Sequence, residues 1–356
     1  MLDAFGPLVL VPVFVVAAGA VWISGIRLSY ATDVLSGRFG LGQALGGLLF
    51  LAITTNLPEI AITVSASLSG ELGIAIGNIL GGIAIQTVVL VALDAFGTRG
   101  RPPLTYLAAS LVLVLEGTLV VAVLVVAIMG SQLPPSVIFE RVAPGGLLIS
   151  GLWVAGVLLI AGARAGLPWQ ERGEAPGGQK EPRGVARTKK EQHARRKGVS
   201  TPRVVGVFVL ASVVTLAAGV MLEQSGQAIA GWIGMSGVLF GSTVLAAATA
   251  LPEVSTGMAS VRLHDYQLAV SDIFGGNAFL PVLFMVASLI SGQAVLPQLR
   301  STDIYLTGLG ILLTTVYIWG LIFRPRHKVI GMGIDSLVVL ALYLLGIAGL
   351  IAIARG

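Results

Sequence analysis

The chain of 356 residues contains no cysteine, and this absence excludes a disulfide framework and a thiolate metal site. Charged residues are also scarce, at 11% of the sequence, whereas a typical soluble domain has about 25%. Hydrophobic residues make up 55% of the chain. They form recurring apolar runs of about 20 residues, each long enough to cross the roughly 30 Å hydrocarbon core of a bilayer. The composition therefore predicts an all-α protein that crosses the membrane many times.

The apolar runs predict ten transmembrane helices. Their approximate bounds are residues 7–29, 40–68, 72–94, 104–129, 146–167, 204–222, 233–262, 266–292, 303–323 and 331–354. One long polar segment, residues 168–203, is rich in proline, glycine and charge, which is typical of a disordered linker. This linker divides the chain into two halves of five predicted spans, residues 1–167 and 204–356.

Lysine and arginine are distributed unevenly between the predicted loops. Most of them fall in the linker and in the loops on its side, whereas the opposite side receives only Arg141, Arg300 and Arg355. Since basic loops remain on the cytoplasmic side of a membrane, we predict a cytoplasmic linker and external termini. These loops also account for the net charge of +5, which therefore does not indicate a nucleic-acid partner.

One motif occurs in both halves, and each copy lies inside a predicted span. Thr55–Glu59 reads TNLPE and corresponds to Thr249–Glu253, which reads TALPE. Without a gap, Ala75–Ala84 (AIGNILGGIA) aligns with Ala269–Ala278 (AVSDIFGGNA). Because each half has an odd number of predicted spans, the two copies enter the membrane from opposite faces, as in inverted-repeat transporters. The predicted fold class is an all-α membrane protein with ten transmembrane helices in two inverted five-helix repeats.

The repeated motif combines a helix breaker with a carboxylate inside the bilayer. Proline leaves backbone carbonyls unpaired, and a membrane tolerates such backbone only where it lines a cavity or an ion. A carboxylate at this depth costs about 2.5–3.5 kcal/mol on insertion scales. Two of them repel each other unless a cation or proton lies between them, and hard cations prefer carboxylate and amide oxygens.

These arguments predict a cation site from the polar residues of the two repeats. Its candidate metal ligands are Glu59, Glu253, Asp272, Asn78, Thr55 and Thr249. The two threonines could instead hydrogen-bond to backbone that the prolines free. No nucleophile, phosphate-binding or zinc motif occurs, so the sequence offers no residues for an enzyme. The predicted partners are inorganic cations and the lipid bilayer, without a cofactor.

At these residues the chain resembles the calcium/cation antiporter superfamily, which includes sodium/calcium exchangers. The two repeats of that superfamily typically read small-polar-Leu-Pro-Glu, followed by Gly-Asn-hydrophobic-hydrophobic-Gly-Ser-Asn. The resemblance implies a ten-span fold in which the first and sixth spans move past a fixed core. It also implies that Glu59 and Glu253 bind calcium, or a related cation, in exchange for Na⁺ or H⁺.

The chain departs from the superfamily pattern at several positions where side-chain oxygens are expected. They are Asn56, Gly82, Gln86, Ala250, Gly276 and Leu280. Asp272, in contrast, adds an acid where the pattern has asparagine. These differences argue against three sodium ions per cycle and favour proton coupling. A passive cation channel and a degenerate transporter that serves as a membrane scaffold remain alternative functions.

Four of the other charged residues in or near predicted spans receive an interpretation of their own. Glu116 falls in the middle of a span, where it could be a proton relay or a packing partner. Asp94 and Asp335 lie near span ends, so we predict that they reach the membrane interface. Arg164 lies near a cytoplasmic end, and we predict that it fixes the topology.

Overall fold

The computed structural model describes residues 6–38, 53–165 and 200–355, and these are mostly helical. The helices are α1 (Pro7–Arg38), α2 (Leu57–Ser69), α3 (Leu72–Ala92), α4 (Leu104–Ala108), α5 (Leu111–Ser131), α6 (Pro144–Ala165), α7 (Thr201–Trp232), α8 (Gly237–Phe240), α9 (Ala246–Thr249), α10 (Leu251–Arg262), α11 (Tyr266–Phe279), α12 (Leu283–Ser291), α13 (Ser301–Phe323) and α14 (Ile334–Arg355). A π-helical segment, Gly241–Leu245, joins α8 to α9, and a second, Leu93–Gly97, extends α3. Between α13 and α14, β1 (Lys328–Val329) and β2 (Met332–Gly333) form an antiparallel hairpin.

The protein is a polytopic integral membrane protein. Within the described ranges, eight helices are long and apolar enough to cross a membrane. The segment from α8 to α9, together with α10, is bent by 42° and makes a ninth span if the pair crosses the membrane as one; it is called the bent span below. Predicted span 40–68 is described only from Ile53 onward, and most of the predicted linker, residues 168–199, also lies outside the described ranges.

Four predicted spans have the wrong bounds. Predicted span 7–29 belongs to a helix that continues to Arg38. Predicted span 104–129 is divided between α4 and α5, because Ser110 is extended and its side chain caps α5 by accepting from Val112 N at 3.2 Å. Predicted span 204–222 belongs to a helix that continues to Trp232. Glu223, the first residue after the predicted end, is buried within the continuing helix. Predicted span 233–262 begins in a turn rather than a helix.

Helix boundaries recur between the two halves of the chain. Helices α1 and α7 each contain 32 residues. The number of residues that separates their first positions, Pro7 and Thr201, also separates the start of α2 from that of α10 and the start of α3 from that of α11. It also aligns the two Leu-Pro-Glu motifs. At the ends of α2 and α10, this offset pairs Gly70 (φ +81°) with His264 (φ +64°), so both copies end in a left-handed residue.

Close backbone packing joins α3 to the bent span. Gly73, Gly77 and Gly81 recur every fourth residue and define one face of α3, the glycine stripe. A Cβ at Gly77 would lie 2.6 Å from the carbonyl oxygen of Val238, and one at Gly81 would lie 2.5 Å from that of Ser242. Glycine permits such close approach of two helices. The stripe therefore fixes α3 against the segment that leads into the second Leu-Pro-Glu motif.

Helices α1 and α7 pack against each other and reach both motif helices. A Cβ at Gly25 of α1 would lie 2.7 Å from Pro252 Cγ. The equivalent Gly219 of α7 is similarly close to Pro58 and Ala61. The main apolar core lies elsewhere, chiefly among α3, α5, α11 and α13. The α1–α7 pair thus contacts the motif helices through two matched glycines.

Candidate cation site

Both Leu-Pro-Glu motifs begin a new helix. Residues 53–55 are helical, Asn56 is a turn with φ −93° and ψ 18°, and α2 starts at the next residue. Ala250 separates α9 from α10 in the same way. Each proline therefore lies in a first helical turn, where its missing N–H removes no helical hydrogen bond. The predicted helix break is confirmed in both repeats.

The breaks place Glu59 and Glu253 in the first turns of α2 and α10, where the helix dipole favours negative charge. Glu59 is completely buried, and Glu253 is 5% exposed. The Glu253 carboxyl group interacts electrostatically with both Glu59 and Asp272. The structure therefore brings the three predicted acids into one region, although their charges repel.

Asp272 lies on α11 at the side of this region. Its Oδ2 accepts a hydrogen bond of 3.4 Å from Thr256 Oγ1, a residue of α10 that the sequence analysis missed. Within the described ranges, no group of three or more acidic or histidine side chains forms a ready-made metal centre. Since Ca²⁺ takes about 6–8 oxygen ligands, a bound cation would need amide, hydroxyl or backbone oxygens in addition to carboxylates.

Several buried polar atoms at the site make no hydrogen bond to any described residue. They are both carboxylate oxygens of Glu59, Oε2 of Glu253 and both amide atoms of Asn78. An unsatisfied buried polar group costs about 1–3 kcal/mol. Oxygens of this kind are the ligands that a hard cation takes, so the residues present fit a dehydrated cation.

The two predicted threonines differ in their surroundings. Thr249 is buried and lies beside the Glu59 carboxyl group, but its hydroxyl donates to the Ala246 carbonyl oxygen at 3.2 Å. It therefore uses its hydrogen on the backbone, and its oxygen keeps its capacity to accept or to ligate. Thr55 is half-buried at the end of the preceding helical turn.

The two repeats place side chains of different polarity where they meet. A Cβ at Gly276 would lie 3.3 Å from Asn56 Nδ2 and 3.4 Å from Gln86 Oε1. A Cβ at Gly82, the equivalent position, would lie 3.3 Å from Leu280 Cδ1 instead. Asn56 and Gln86, which depart from the superfamily pattern in the first repeat, therefore keep polar groups near the site. Leu280, which departs from it in the second repeat, is apolar.

Asn277 is a further polar residue that the sequence analysis missed. It is completely buried, and its Nδ2 donates to Ile83 O at 3.3 Å and to Thr87 Oγ1 at 3.1 Å. It therefore connects α11 to α3 beside the site. The Gly-Gly-Asn triplet that ends at Asn277 was a usable signal, since the superfamily has Gly-Ser-Asn at this place.

Arg164, which we predict fixes the topology, also makes side-chain contacts within the protein. Its Nη2 donates to Glu116 Oε1 at 2.6 Å and to Ser271 Oγ at 2.8 Å. Ser271 directly precedes Asp272. The structure supports the packing alternative for Glu116, because the ion pair joins α5 and α6 to the helix that carries Asp272.

Asp94 and Asp335 are buried, so the prediction that they reach the interface is also wrong. Asp94 accepts from Leu104 N at 2.8 Å and from Gly333 N at 2.6 Å, and Lys328 Nζ lies 3.6 Å from its Oδ1. The hairpin between α13 and α14 covers the end of α3 and removes both acids from solvent.

A cavity of about 520 Å³ lies beyond the end of α2. Its polar lining consists of Glu71, which directly precedes α3, and Gln227 on α7, and apolar residues such as Trp232 and Met235 complete it. None of the predicted site residues lines this cavity, so it is separate from the central carboxylates.

A polytopic helical fold with buried carboxylates on two interrupted helices is the architecture of an ion transporter. The sequence model of the sodium/calcium exchanger protein family matches residues 9–161 and 203–352. The chain belongs to this family and hence to the calcium/cation antiporter superfamily, as the resemblance implied. Members of the family exchange inorganic cations across membranes and are not enzymes.

Individual relatives agree with this assignment. The inner membrane protein YrbG of Escherichia coli (strain K12) is 27% identical over 321 residues, which cover 88% of each chain. The crystal structure of the H⁺/Ca²⁺ exchanger CAX covers 96% of this chain and 82% of its own, with a TM-score of 0.66 and 15% identity. The sodium-calcium exchanger NCX_Mj covers 96% and 98%, with a TM-score of 0.57 and 15% identity. At these identities the two structures show a common fold.

Proposed function

We propose that the protein is a secondary antiporter that exchanges Ca²⁺, or a related cation, for H⁺ or Na⁺ by alternating access. One observation carries this proposal. Glu59 and Glu253 are buried in the first turns of two interrupted helices, and three of their four carboxylate oxygens make no hydrogen bond to a described residue. Two such acids require positive charge between them.

The other predicted residues complete an oxygen-rich set around these two acids. Asn78 would supply its amide oxygen, and Thr249 and Thr55 their hydroxyl oxygens. Asp272, which Thr256 orients, adds a third titratable group next to Glu253. In this assignment the two glutamates hold the cation, and the three carboxylates accept protons when it leaves.

The proposed architecture is ten spans in two inverted five-helix repeats, with external termini and a cytoplasmic linker. The common offset between helix starts supports the repeats. The reciprocal contacts of Gly25 with Pro252 and of Gly219 with Pro58 support a pseudo-two-fold relation. The α1–α7 pair is the unit that would slide, because it contacts the motif helices through small residues.

Proton coupling is the favoured mode. Release of a divalent cation would leave Glu59, Glu253 and Asp272 close together, and repulsion between them would be relieved by protonation. Leu280 and Gly82 provide no side-chain oxygen for additional sodium ions. Neutralisation of the empty site would then allow the protein to return without the cation, which distinguishes exchange from a leak.

Flux into proteoliposomes, with pH and Na⁺ gradients imposed separately, tests this function. Wild-type protein should take up Ca²⁺ faster with the pH gradient, and Asp272→Asn should weaken that pH dependence. Glu59→Gln and Glu253→Gln should each abolish uptake, whereas Glu140→Gln, at an exposed loop position, should not. Full uptake by either site variant would refute the assignment. Current without a coupling ion would instead indicate a channel, and absence of cation binding a scaffold.

A further inference from the structure

Asp335 is a buried carboxylate that the proposed transport mechanism does not use. It lies in the first turn of α14, is 5% exposed, and neither of its oxygens makes a hydrogen bond to a described residue. Gly320 of α13 and Gly333 of β2 enclose it so closely that a Cβ at either glycine would overlap a carboxylate oxygen. Buried charges in proteins are paired or coordinate a metal, so an ionised Asp335 requires a positively charged partner.

A second unpartnered oxygen lies beside the same carboxylate. Thr105 of α4 is 2% exposed and interacts with the Asp335 carboxyl group, but its Oγ1 makes no well-formed hydrogen bond to a described residue. The neighbouring hydroxyls of Tyr317 and Ser336 lie 3.2 Å from each other. A proton on Asp335 would provide a single hydrogen-bond donor, whereas a hard cation binds several oxygens at once. The three unpartnered oxygens therefore favour a cation.

Lys328 does not supply the missing positive charge. Its Nζ donates to the carbonyl oxygens of Asp94 and Thr98 at 3.1 and 3.0 Å and lies 3.6 Å from Asp94 Oδ1. The charge of Asp94 also interacts with that of Asp335. Two carboxylates and one ammonium leave one uncompensated negative charge in this buried cluster. A monovalent cation, rather than a divalent one, would balance it.

The other half of the chain forms the same packing without either acid. The spacing that relates α5 to α13 and α6 to α14 places Gly145 at the position of Asp335. A Cβ at Gly130 of α5 would lie 3.6 Å from Gly145 Cα, so two glycines meet there. The spacing that relates α3 to α11 places Ser288 at the position of Asp94, and its Oγ likewise accepts from a backbone N–H. The packing of these helices therefore does not require the two carboxylates.

We propose that Asp335 and Thr105 bind a monovalent cation of the size of Na⁺, which joins α4 to α14 under the β1–β2 hairpin. The tight enclosure by the two glycines favours a small ion. This inference goes beyond the proposed antiport and does not depend on it. Asp94 follows Asn78 on α3 and its π-helical extension by roughly 24 Å of helical rise, so the two sites are separate. Since neither ligand lies on α1 or α7, the helices proposed to slide, a cation here would stabilise the fold and would not be exchanged.

Thermal unfolding in detergent tests this site, with NaCl replaced by N-methylglucamine chloride at constant ionic strength and with Ca²⁺ chelated. The Glu59→Gln/Glu253→Gln background removes Na⁺ binding at the central carboxylates. In this background, Na⁺ at about 100 times its Kd should raise the Tm by about 3–4 °C. Asp335→Asn should abolish the shift, and Thr105→Val should weaken the affinity for Na⁺ about tenfold. Asp303→Asn, the matched control at another buried acid in a first helical turn, should keep the shift.

Direct binding of radioactive Na⁺ keeps the inference testable if Asp335→Asn does not fold. The Glu59→Gln/Glu253→Gln protein should bind one Na⁺ per chain, and Thr105→Val should lower the affinity. The proposal would be overturned by a Tm that does not respond to Na⁺, by a Na⁺ shift that persists in Asp335→Asn, or by a stabilisation that depends on pH alone. A shift that Ca²⁺ produces and Na⁺ does not would overturn it as well.

Discussion

Substitution of Gly81 by alanine tests the glycine stripe, which holds the two halves of the site together. The new Cβ would lie 2.5 Å from the Ser242 carbonyl oxygen and 2.7 Å from its carbonyl carbon. Ordinary contacts are about 3.5–4.0 Å, so the two segments must separate by about 1 Å. Backbone atoms cannot rotate away as a side chain would.

The expected cost follows from two opposing effects. Overpacking of a close-packed interior costs about 1–3 kcal/mol, and we expect about 3 kcal/mol here because both partners are backbone. Alanine recovers about 1 kcal/mol, since it favours helix more than glycine does. Gly81→Ala should therefore destabilise the protein by about 2 kcal/mol.

Gly73 on the same stripe provides the matched control. A Cβ there would lie 3.6 Å from Val238 Cγ2, which is an ordinary contact. Gly73→Ala should therefore be neutral or stabilising by up to about 1 kcal/mol. Thermal unfolding of the purified protein in detergent, followed by tryptophan fluorescence, should show a lower Tm for Gly81→Ala only.

Transport adds a functional readout to the same pair of variants. Asn78 packs against Gly241 of the bent span, so a separation of α3 from this span would move Asn78 and should also weaken Ca²⁺ binding. The reasoning would be refuted if Gly81→Ala melted at the same temperature as Gly73→Ala and bound Ca²⁺ equally well.

Two further predictions concern stability and use the same melting assay. His264→Gly should stabilise the protein by about 1 kcal/mol, because His264 has a left-handed conformation that costs a non-glycine residue about 1–2 kcal/mol. Gly70→Ala should destabilise it for the same reason. An unchanged Tm in either variant would contradict the backbone strain at these positions. Arg164→Met should destabilise by about 2 kcal/mol, less than for a fully buried pair because its side chain is 35% exposed. Combining it with Glu116→Leu should recover most of that loss, and an additive double variant would show that the pair does not interact.

The helix breaks and the central acids could be predicted from sequence because their chemistry is local. Proline and glutamate within an apolar run have few compatible environments, and the second copy confirmed the pattern in the opposite half. The membrane-spanning helices could also be predicted from sequence, since the bilayer thickness fixes the length of an apolar helix that crosses it.

Other features depend on which surfaces meet, and hydropathy does not report this. Asp94 and Asp335 lie near helix ends, but only the fold shows that the β1–β2 hairpin covers them. Arg164 likewise finds its partners on helices distant in sequence. The glycine stripe was visible as a four-residue repeat, although its partner, the bent span, was not.

Asn277 and Thr256 were missed for a different reason. Asn277 aligns with Ile83 in the first repeat, so it has no polar counterpart there. Thr256 belongs to the second motif helix, but the signal that it orients Asp272 is geometric. Asymmetry between repeats therefore hid residues that the structure places beside the site.

The most direct test of the central claim is calorimetric titration of the purified protein with Ca²⁺ in buffers of different ionisation enthalpy. This measurement reports binding and proton release together. We predict Ca²⁺ binding with release of protons from the carboxylate cluster, loss of binding in Glu59→Gln and in Glu253→Gln, and wild-type binding in Glu140→Gln. Undiminished Ca²⁺ binding in either site variant, or binding that releases no protons, would contradict a site in which cation and protons compete for the same carboxylates.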